Sequence, residues 1–409
     1  RPSPPLQSPL TAFIALPTWC MCSHVPLSVE LLTNNLDTCS VAAQVLVALI
    51  PSWSSLVCCN AHDTAGDPSI GSSKSGASAR AQCTCRLVWS NLKGGTTNVV
   101  WRVEVADGAA AVSPRAVSVR IYGENSDAII ERTSELDTFA MLYSVGLGPA
   151  LHGTFTNGLV VGFVEGNVLS DADLREPTTS RAIAAELARW HTTVHPEEHN
   201  IAPRHDGRYC FGQLAAWRQT AGEALPALFD RDAQARAQFT SYFGADLTEY
   251  DAACAATEAA AVAVASPIVF AHNDLVGGNI LVSPDSHRVR FIDYEYASLN
   301  YRGFDLGDHF QEWTGLELVD GLYPGKEEQL IFLRAYLEAT TGSDTPDEAA
   351  LAQLYREANL FALVSDLFWV SWALVQASVS SIDFDYLSYA GTRWHRYLAN
   401  RHKYTSASL

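Results

Sequence analysis

The sequence predicts an α+β protein of two lobes, a small β-rich first lobe followed by a large, mainly helical second one. Three observations carry that expectation. Three β-rich runs, Leu87 to Leu92, Val99 to Val105 and Val117 to Tyr122, follow one another closely. From Ser180 onward, apolar positions recur at helical spacing over most of the remaining chain. The exception is Phe270 to Tyr296, FAHNDLVGGNILVSPDSHRVRFIDYEY. There two short β-rich arms, Ile280 to Val282 and Val289 to Ile292, flank Ser-Pro-Asp-Ser-His, a composition that turns the chain back on itself.

The same stretch holds the chemistry. Asp274 and Asn279 stand five positions apart. This is the D-x-x-x-x-N spacing of a protein-kinase catalytic loop, in which the Asp orients the accepting hydroxyl and the Asn holds Mg²⁺. The hairpin then returns Asp293 beside Asn279, where a kinase places its metal-binding Asp. The expected fold is therefore two-lobed and protein-kinase-like. Asp274, Asn279 and Asp293 are its candidate catalytic residues, with Asn279 and Asp293 as Mg²⁺ ligands from two separate elements.

A chain of 409 residues with 48% hydrophobic content can bury two cores. The formal charge of −18 argues against nucleic acid or an anionic membrane as a main partner, since either needs a basic face. It also means that phosphates must be held by a divalent cation and a few well-placed side chains, while small cationic substrates are welcome. The longest early apolar run, Val41 to Ile50, is about half of the ~20 residues a membrane span requires, so a core helix and no stable membrane insertion is expected. Seven of the nine cysteines lie in the first 85 residues, at spacings that match no common zinc pattern. Free thiols in a reducing, cytoplasmic compartment are the expectation.

In chain order, residues 1–30 are rich in Pro, Ser and Thr and nearly uncharged, and are expected to be poorly ordered or an artefact of the gene model. Residues 31–59 read as an N-terminal helical segment closed by Pro51, and residues 60–80 as a flexible insertion. Residues 81–164 form the expected nucleotide-binding N-lobe. Its loop Gly94, Gly95, Thr96, Thr97 and Asn98 suits backbone approach to phosphates, although a Gly pair between strands also serves as a plain turn. Arg120 ends the third strand, where a kinase places its phosphate-binding Lys; an exposed Arg on an edge strand is the alternative. Glu135, on a helix from Ser134 to Leu142, is placed to pair with it or to stand as a solvated acid. Gly158 to Val164 reads as a strand entering the crossing between lobes, with Phe163 and Val164 as candidate adenine contacts.

The expected C-lobe, residues 165–409, opens on an amphipathic helix, Ser180 to His195, whose His191 reads as a satisfied core histidine. Residues 197–265 are Ala-rich helical scaffold. Asp305 lies at a helix start, suited either to hydrogen-bond the backbone of the catalytic loop or to cap its own helix. Asp308, Glu312 and Trp313 follow within about one and a half turns. Two carboxylates beside an indole suit an ammonium group, and equally a solvated face with one buried ring. Trp369 and Trp372, three apart on a nearly apolar helix, are core packing or an aromatic wall for a cation.

Taken together, LKGGTTN, VRIYG, the Gly-Leu-Gly-Pro at 146–149, the helix ending in His191, HNDLVGGNIL, FIDYEY, FDLGDHFQEW and FWVSWALVQA resemble the choline/ethanolamine kinases in order and approximate spacing, over residues 31–400 interrupted at 60–80. Within the family, EWTGLELVDGLYP, Val276 after HNDL, and SSIDFDYLSYAGTRW are more similar to ethanolamine kinases than to choline kinases. A quaternary ammonium cannot donate hydrogen bonds and needs an aromatic cage, whereas a primary one is better held by carboxylates. Glu317 stands where choline kinases have a cage tyrosine. Two positions depart from the family pattern, Asp308 for the common Asn and Gly162 for an acidic or amide residue. The resemblance implies ATP- and Mg²⁺-dependent phosphorylation of ethanolamine by a monomer or homodimer, with Asp308, Glu312, Trp313, Trp369 and Trp372 near the amine. Choline is the second substrate candidate; an aminoglycoside-type phosphotransferase and a non-catalytic pseudokinase are the further alternatives.

Overall fold

The computed structural model describes residues 45–46, 48–56, 87–92, 98–107, 112–122 and 132–404, save 200, 320 and 381. Residues 1–30 and 60–80, the seven early cysteines and Gly94 to Thr97 all lie outside the described residues. The first lobe is built on a five-stranded antiparallel sheet. Its strands are β1 (Leu87–Leu92), β2 (Asn98–Val105), β3 (Ala116–Tyr122), β4 (Leu151–Phe155) and β5 (Gly158–Gly162), in the order β1-β2-β3-β5-β4. β3 alternates buried and half-buried residues, the signature of a sheet with one face on a core. That face receives Val45, Leu46, Ile50 and the fully buried Trp53, whose indole N–H donates to the Pro114 carbonyl at 2.8 Å. The early apolar segment is thus part of the first lobe's core. The α-helical bonding stops at Leu49, just before Pro51 as expected, and Pro51 then opens a separate 3₁₀ turn, Pro51–Leu56, because a proline fits a first helical position where no N–H partner is needed.

Helix α1 (Arg132–Ser144) lies between β3 and β4 in sequence, and its Phe139 and Leu142 join the core of the second lobe. The second lobe begins with the short β6 (Asn167–Val168) and α2 (Asp171–Leu174), then α3 (Pro177–Thr193). The Ala-rich region folds as α4 (Tyr209–Arg231), α5 (Ala233–Phe243) and α6 (Thr248–Ala263). β7 (Ile268–Ala271) leads into the catalytic stretch, β8 (Ile280–Val282) and β9 (Val289–Phe291) form its antiparallel hairpin, and β10 (Ser298–Tyr301) returns to pair with β7. α7 (Arg302–Glu312), α8 (Lys326–Thr341), α9 (Glu348–Val379) and α10 (Tyr386–Tyr404) complete the lobe.

α9 is the axis of this lobe. It is long and apolar enough to cross a membrane by length and composition, yet 94% of its most apolar window is buried within the protein. α4, α6, α7 and α10 pack around it. Its buried polar groups are matched: Glu357 takes the Arg302 guanidinium bidentately, and Asp366 takes Arg396 at 2.6 Å. α7 approaches α9 closely through Gly303 and Gly307. A Cβ at Gly307 would fall 2.5 Å from the Ala358 carbonyl oxygen, so only glycine allows this helix contact.

Candidate active site

The turn after β7 is held from below by one buried carboxylate. Asp305 accepts the backbone N–H of His272 at 2.8 Å, that of Asn273 at 2.7 Å, and a ring N–H of His191 at 2.9 Å. Carboxylates only accept, so His191 carries its proton on Nε2, and its Nδ1 accepts from Tyr336 Oη at 2.9 Å. Asp305 lies inside α7, whose N-cap is Tyr301, so it serves the loop and not its own helix end. Asn273 takes a positive φ of 67°, a conformation Asn tolerates, and its side chain donates to the Tyr296 carbonyl and accepts from Asn300. Asp274 then projects from a doubly anchored turn. Asn279 Nδ2 donates both to the Asp274 carbonyl at 2.9 Å and to its Oδ2 at 2.8 Å. That leaves the Asn279 side-chain oxygen as its remaining polar atom.

On the side of the first lobe, Asp293 follows β9 with φ of 66°. Arg120 from β3 reaches down to Asp293 Oδ1 at 3.1 Å while its other terminal nitrogen pairs with the buried Glu135 of α1. Arg120 is thus no surface residue; it ties strand, helix and second lobe together. Burial works to lower its pKa, but Asp293, Glu135 and Glu295 outweigh it and drive the value up, so the cation is permanent. Among the described residues no cluster of three or more His, Cys, Asp or Glu has the arrangement of a self-sufficient metal cage. Asn279 and Asp293 offer oxygen donors from two elements. This suits Mg²⁺, a hard cation that keeps water and phosphate oxygens for its other positions. Asn98, the one described residue of the glycine loop, begins β2 opposite Tyr122.

Phe163 and Val164 line a cavity of about 490 Å³ at the lobe crossing, together with Gly162, Arg288 and Arg290. The Phe163 N–H is already given to the Ala116 carbonyl and its ring lies under the Arg102 guanidinium at 4.4 Å, so its amide is not free for a base. Asp274, Asn279, Asp293 and Arg120 are not among that cavity's walls.

On the other side of Asp274 lies a buried cluster of carboxylates and indoles. Asp308 and Glu312 stand one turn apart on α7, both buried. Trp369 Nε1 and Ser365 Oγ each donate to Asp308 Oδ1 at 2.7 Å. Arg393 from α10 donates to Glu312 Oε1 at 2.7 Å. Trp369 and Trp372 meet edge to face with centroids 5.6 Å apart, and Tyr296 joins both, its ring 5.7 Å from Trp369 and its hydroxyl accepting from Trp372. Trp313, expected beside the amine, is a correction. Its indole N–H donates to His309 Nε2 and its ring packs edge-on against Phe310, inside the core of the second lobe. At one and a half turns from Asp308 it faces the opposite side of the helix.

Asp274 stands between these ends. Burial first, then Asp308, Asp293, Glu312 and Glu295, push its carboxyl well above the usual range. Asp171 on α2 is raised too, by burial and then by Glu312 and Glu317. Reading the sequence did not single out Asp171, Tyr296, Tyr389 or Arg393. Tyr296 sat inside the catalytic stretch and could have been found; Arg393 and Tyr389 reach the site only because α10 packs on α9, which no local pattern reveals.

The sequence model described as choline/ethanolamine kinase matches residues 89–398. The probable ethanolamine kinase A of Dictyostelium discoideum is 35% identical over 318 residues, 78% of this chain and 86% of that protein. Ethanolamine kinase 2 of Mus musculus is 37% identical over 286 residues, 69% of each chain. Among solved structures, the Plasmodium vivax ethanolamine kinase superposes with a TM-score of 0.66 at 25% identity, covering 78% of this chain and 84% of that one. With a match over most of its length, the chain belongs to the choline/ethanolamine kinase family.

Proposed function

We propose that the protein transfers the γ-phosphoryl group of ATP to the hydroxyl of ethanolamine, giving phosphoethanolamine. The observation that carries this reading is the position of Asp274, anchored by Asn279 and set between the Arg120–Asp293 end and the Glu312–tryptophan end. An amino alcohol is short enough to place its ammonium at one end and its hydroxyl at Asp274. The relatives named ethanolamine kinases support the choice of amine.

In this reading Asp274 accepts a hydrogen bond from the substrate hydroxyl, orients its oxygen toward the phosphorus and takes its proton as the bond forms. Arg120, held by Glu135, presents its charge to the phosphates. Asn279 and Asp293 hold Mg²⁺, which when bound neutralises phosphate charge. Glu312 and the faces of Trp369 and Trp372 receive the ammonium. Positioning and charge supply most of the acceleration, as expected for a loose transition state.

The test is a phosphoryl-transfer assay with ethanolamine and choline side by side, on the wild type and on Asp274→Asn. Loss of the base should lower kcat by about 10²–10⁴ with ATP binding retained. Near-normal turnover in the variant would end the mechanism, and failure of the wild type on both amines would end the function. Choline is the second reading, favoured by Trp369, Trp372, Tyr296 and Tyr389 clustering at the amine end. A higher kcat/KM on choline would establish it instead.

A further inference from the structure

Asp308 is a fully buried carboxylate with an unusual division of labour between its oxygens. Oδ1 accepts from both Trp369 Nε1 and Ser365 Oγ, while Oδ2 has no hydrogen-bond partner. A buried carboxylate oxygen without a partner costs free energy unless something offsets it. The charged groups facing it are Glu312 from its own helix, Asp274 from the catalytic turn and Arg393 from α10. Arg393 makes no hydrogen bond to Asp308, although its charge helps to hold that carboxyl down. Its guanidinium spends its contacts on Glu312 Oε1 at 2.7 Å, on Tyr389 Oη at 2.8 Å and, more distantly, on Ser365 and Asp366. Glu312 is therefore already part of an ion pair before any amine arrives, and Asp308 carries the charge that is left over.

Resting on the ammonium-site reading above, we propose that Asp308 is the positioning residue that sets the amine pocket's affinity for cationic substrates. It fixes the Trp369 indole by its N–H and places behind that ring a negative charge to which no cation is hydrogen-bonded. The carboxylate itself need not touch substrate. An indole whose N–H is given to an anion presents a more electron-rich face, and the charge behind it adds a direct attraction for any cation stacked there. A neutral Asn at this position would keep the ring in place through its amide oxygen but would supply no charge. The pocket of this chain should accordingly bind cationic amino alcohols more tightly than an otherwise equal pocket with Asn.

The pH behaviour follows. Burial, then Glu312, raise the Asp308 carboxyl to about 7 against the opposing hydrogen bonds from Ser365 and Trp369 and the charge of Arg393. The charge is present above that pH and lost below it, so amine binding should weaken as pH falls through neutrality.

The experiment compares wild type with Asp308→Asn, measuring KM for ethanolamine, for choline and for ATP from pH 5.5 to 9. Choline is the control whose own charge cannot titrate. In the wild type, both amine KM values should fall about tenfold as pH rises through neutrality, the effect of one partly screened charge pair. In Asp308→Asn both should stay at the high, low-pH value throughout, with the KM for ATP within about twofold of wild type. Unchanged amine KM and an unchanged pH profile in the variant would overturn the proposal, leaving Asp308 a hydrogen-bond acceptor only. Should the variant fail to fold, the wild-type profile alone decides: amine KM values flat across neutral pH refute it. Turnover of neither amine by the wild type would instead refute the ammonium-site reading beneath it.

Discussion

Asp305→Asn is the sharpest probe of how the second lobe holds the catalytic turn. The substitution keeps volume and one acceptor oxygen, so the Asn273 N–H can stay bonded while the amide group replaces Oδ2. Oδ2 serves two donors, the His272 N–H at 2.8 Å and His191 Nε2 at 2.9 Å. His191 can adapt: with its proton moved to Nδ1 and given to Tyr336 Oη, its Nε2 becomes an acceptor for the new amide. The His272 N–H cannot. It is a main-chain donor, fully buried, and would face another donor. Losing a hydrogen bond to a charged acceptor and stranding its donor costs about 2–4 kcal/mol. The melting temperature should therefore fall by several degrees while the protein still folds. Because the two N–H groups set where Asp274 points, kcat measured well below the melting transition should drop by about 10²-fold, the size of effect that a shift of roughly 1 Å in a reacting group produces. Circular dichroism melts and initial rates on the same preparation separate the two effects. A variant that melts early but keeps wild-type kcat per folded molecule would refute the positioning argument; one with an unchanged melt would refute the stability argument as well.

Gly307→Ala should destabilise by about 2 kcal/mol or more, despite the better helix propensity of alanine, because the new methyl group meets the α9 main chain at Ala358 and Ala362; a melt within a degree of wild type would contradict that close approach. Arg120→Lys cannot span Glu135 and Asp293 together, and should raise the KM for ATP about tenfold with the amine KM unchanged. His309 is buried neutral, its Nδ1–H given to the Leu275 carbonyl and its Nε2 accepting from Trp313; burial lowers its pKa from 6.5 to about 4. Since protons bind the unfolded chain first, the stability it contributes is complete above pH 6.5 and is lost as pH falls toward 4, about 2 kcal/mol by pH 5. Denaturation midpoints at pH 7 and 5 should differ less in His309→Gln than in wild type.

The elements most legible in the sequence are those whose partners are local. β2 and β3 carry β-branched residues at strand spacing, and the β8–β9 hairpin announces itself by its turn. α9 is legible because an apolar run with few charges must be buried or membranous. β4 is not, since LHGTF has neither alternation nor a β-branched run and is a strand only because β5 pairs with it. Pro51 was legible as the stop to the α-helix, but the 3₁₀ turn it begins was not, since that turn depends on Trp53 burying itself under the sheet. In the candidate site, spacing brings Asp274, Asn279 and Asp293 into view because one turn and one hairpin join them. The side to which Trp313 turns follows from its spacing to Asp308 on the helix and was legible, but was not used. Arg393 lies 81 positions from the glutamate it pairs with, beyond the reach of any local pattern.

That distant arginine explains how an acidic chain can build a cleft at all. Asp274, Asp293, Glu295, Asp308 and Glu312 influence one another strongly enough to push Asp274 upward, and each such repulsion opposes folding. Two cations offset it, and each sits on the outer flank of the row: Arg120 against Asp293 and Glu135, Arg393 against Glu312. Neither is paired with Asp274 or Asp308. The unbalanced charge is therefore concentrated at the centre, where the reacting hydroxyl and the ammonium are proposed to lie. A cation entering there relieves repulsion that the folded protein already bears, and in doing so favours the ionised form of Asp274. Binding of the amine and readiness of the base are then one electrostatic event, so removing the substrate's charge should impair proton transfer as well as affinity. A neutral isostere, an alcohol of ethanolamine's length with a methyl group in place of the ammonium, should therefore lose kcat in addition to raising KM. An isostere that lost affinity alone would show that the two ends of the cleft act independently.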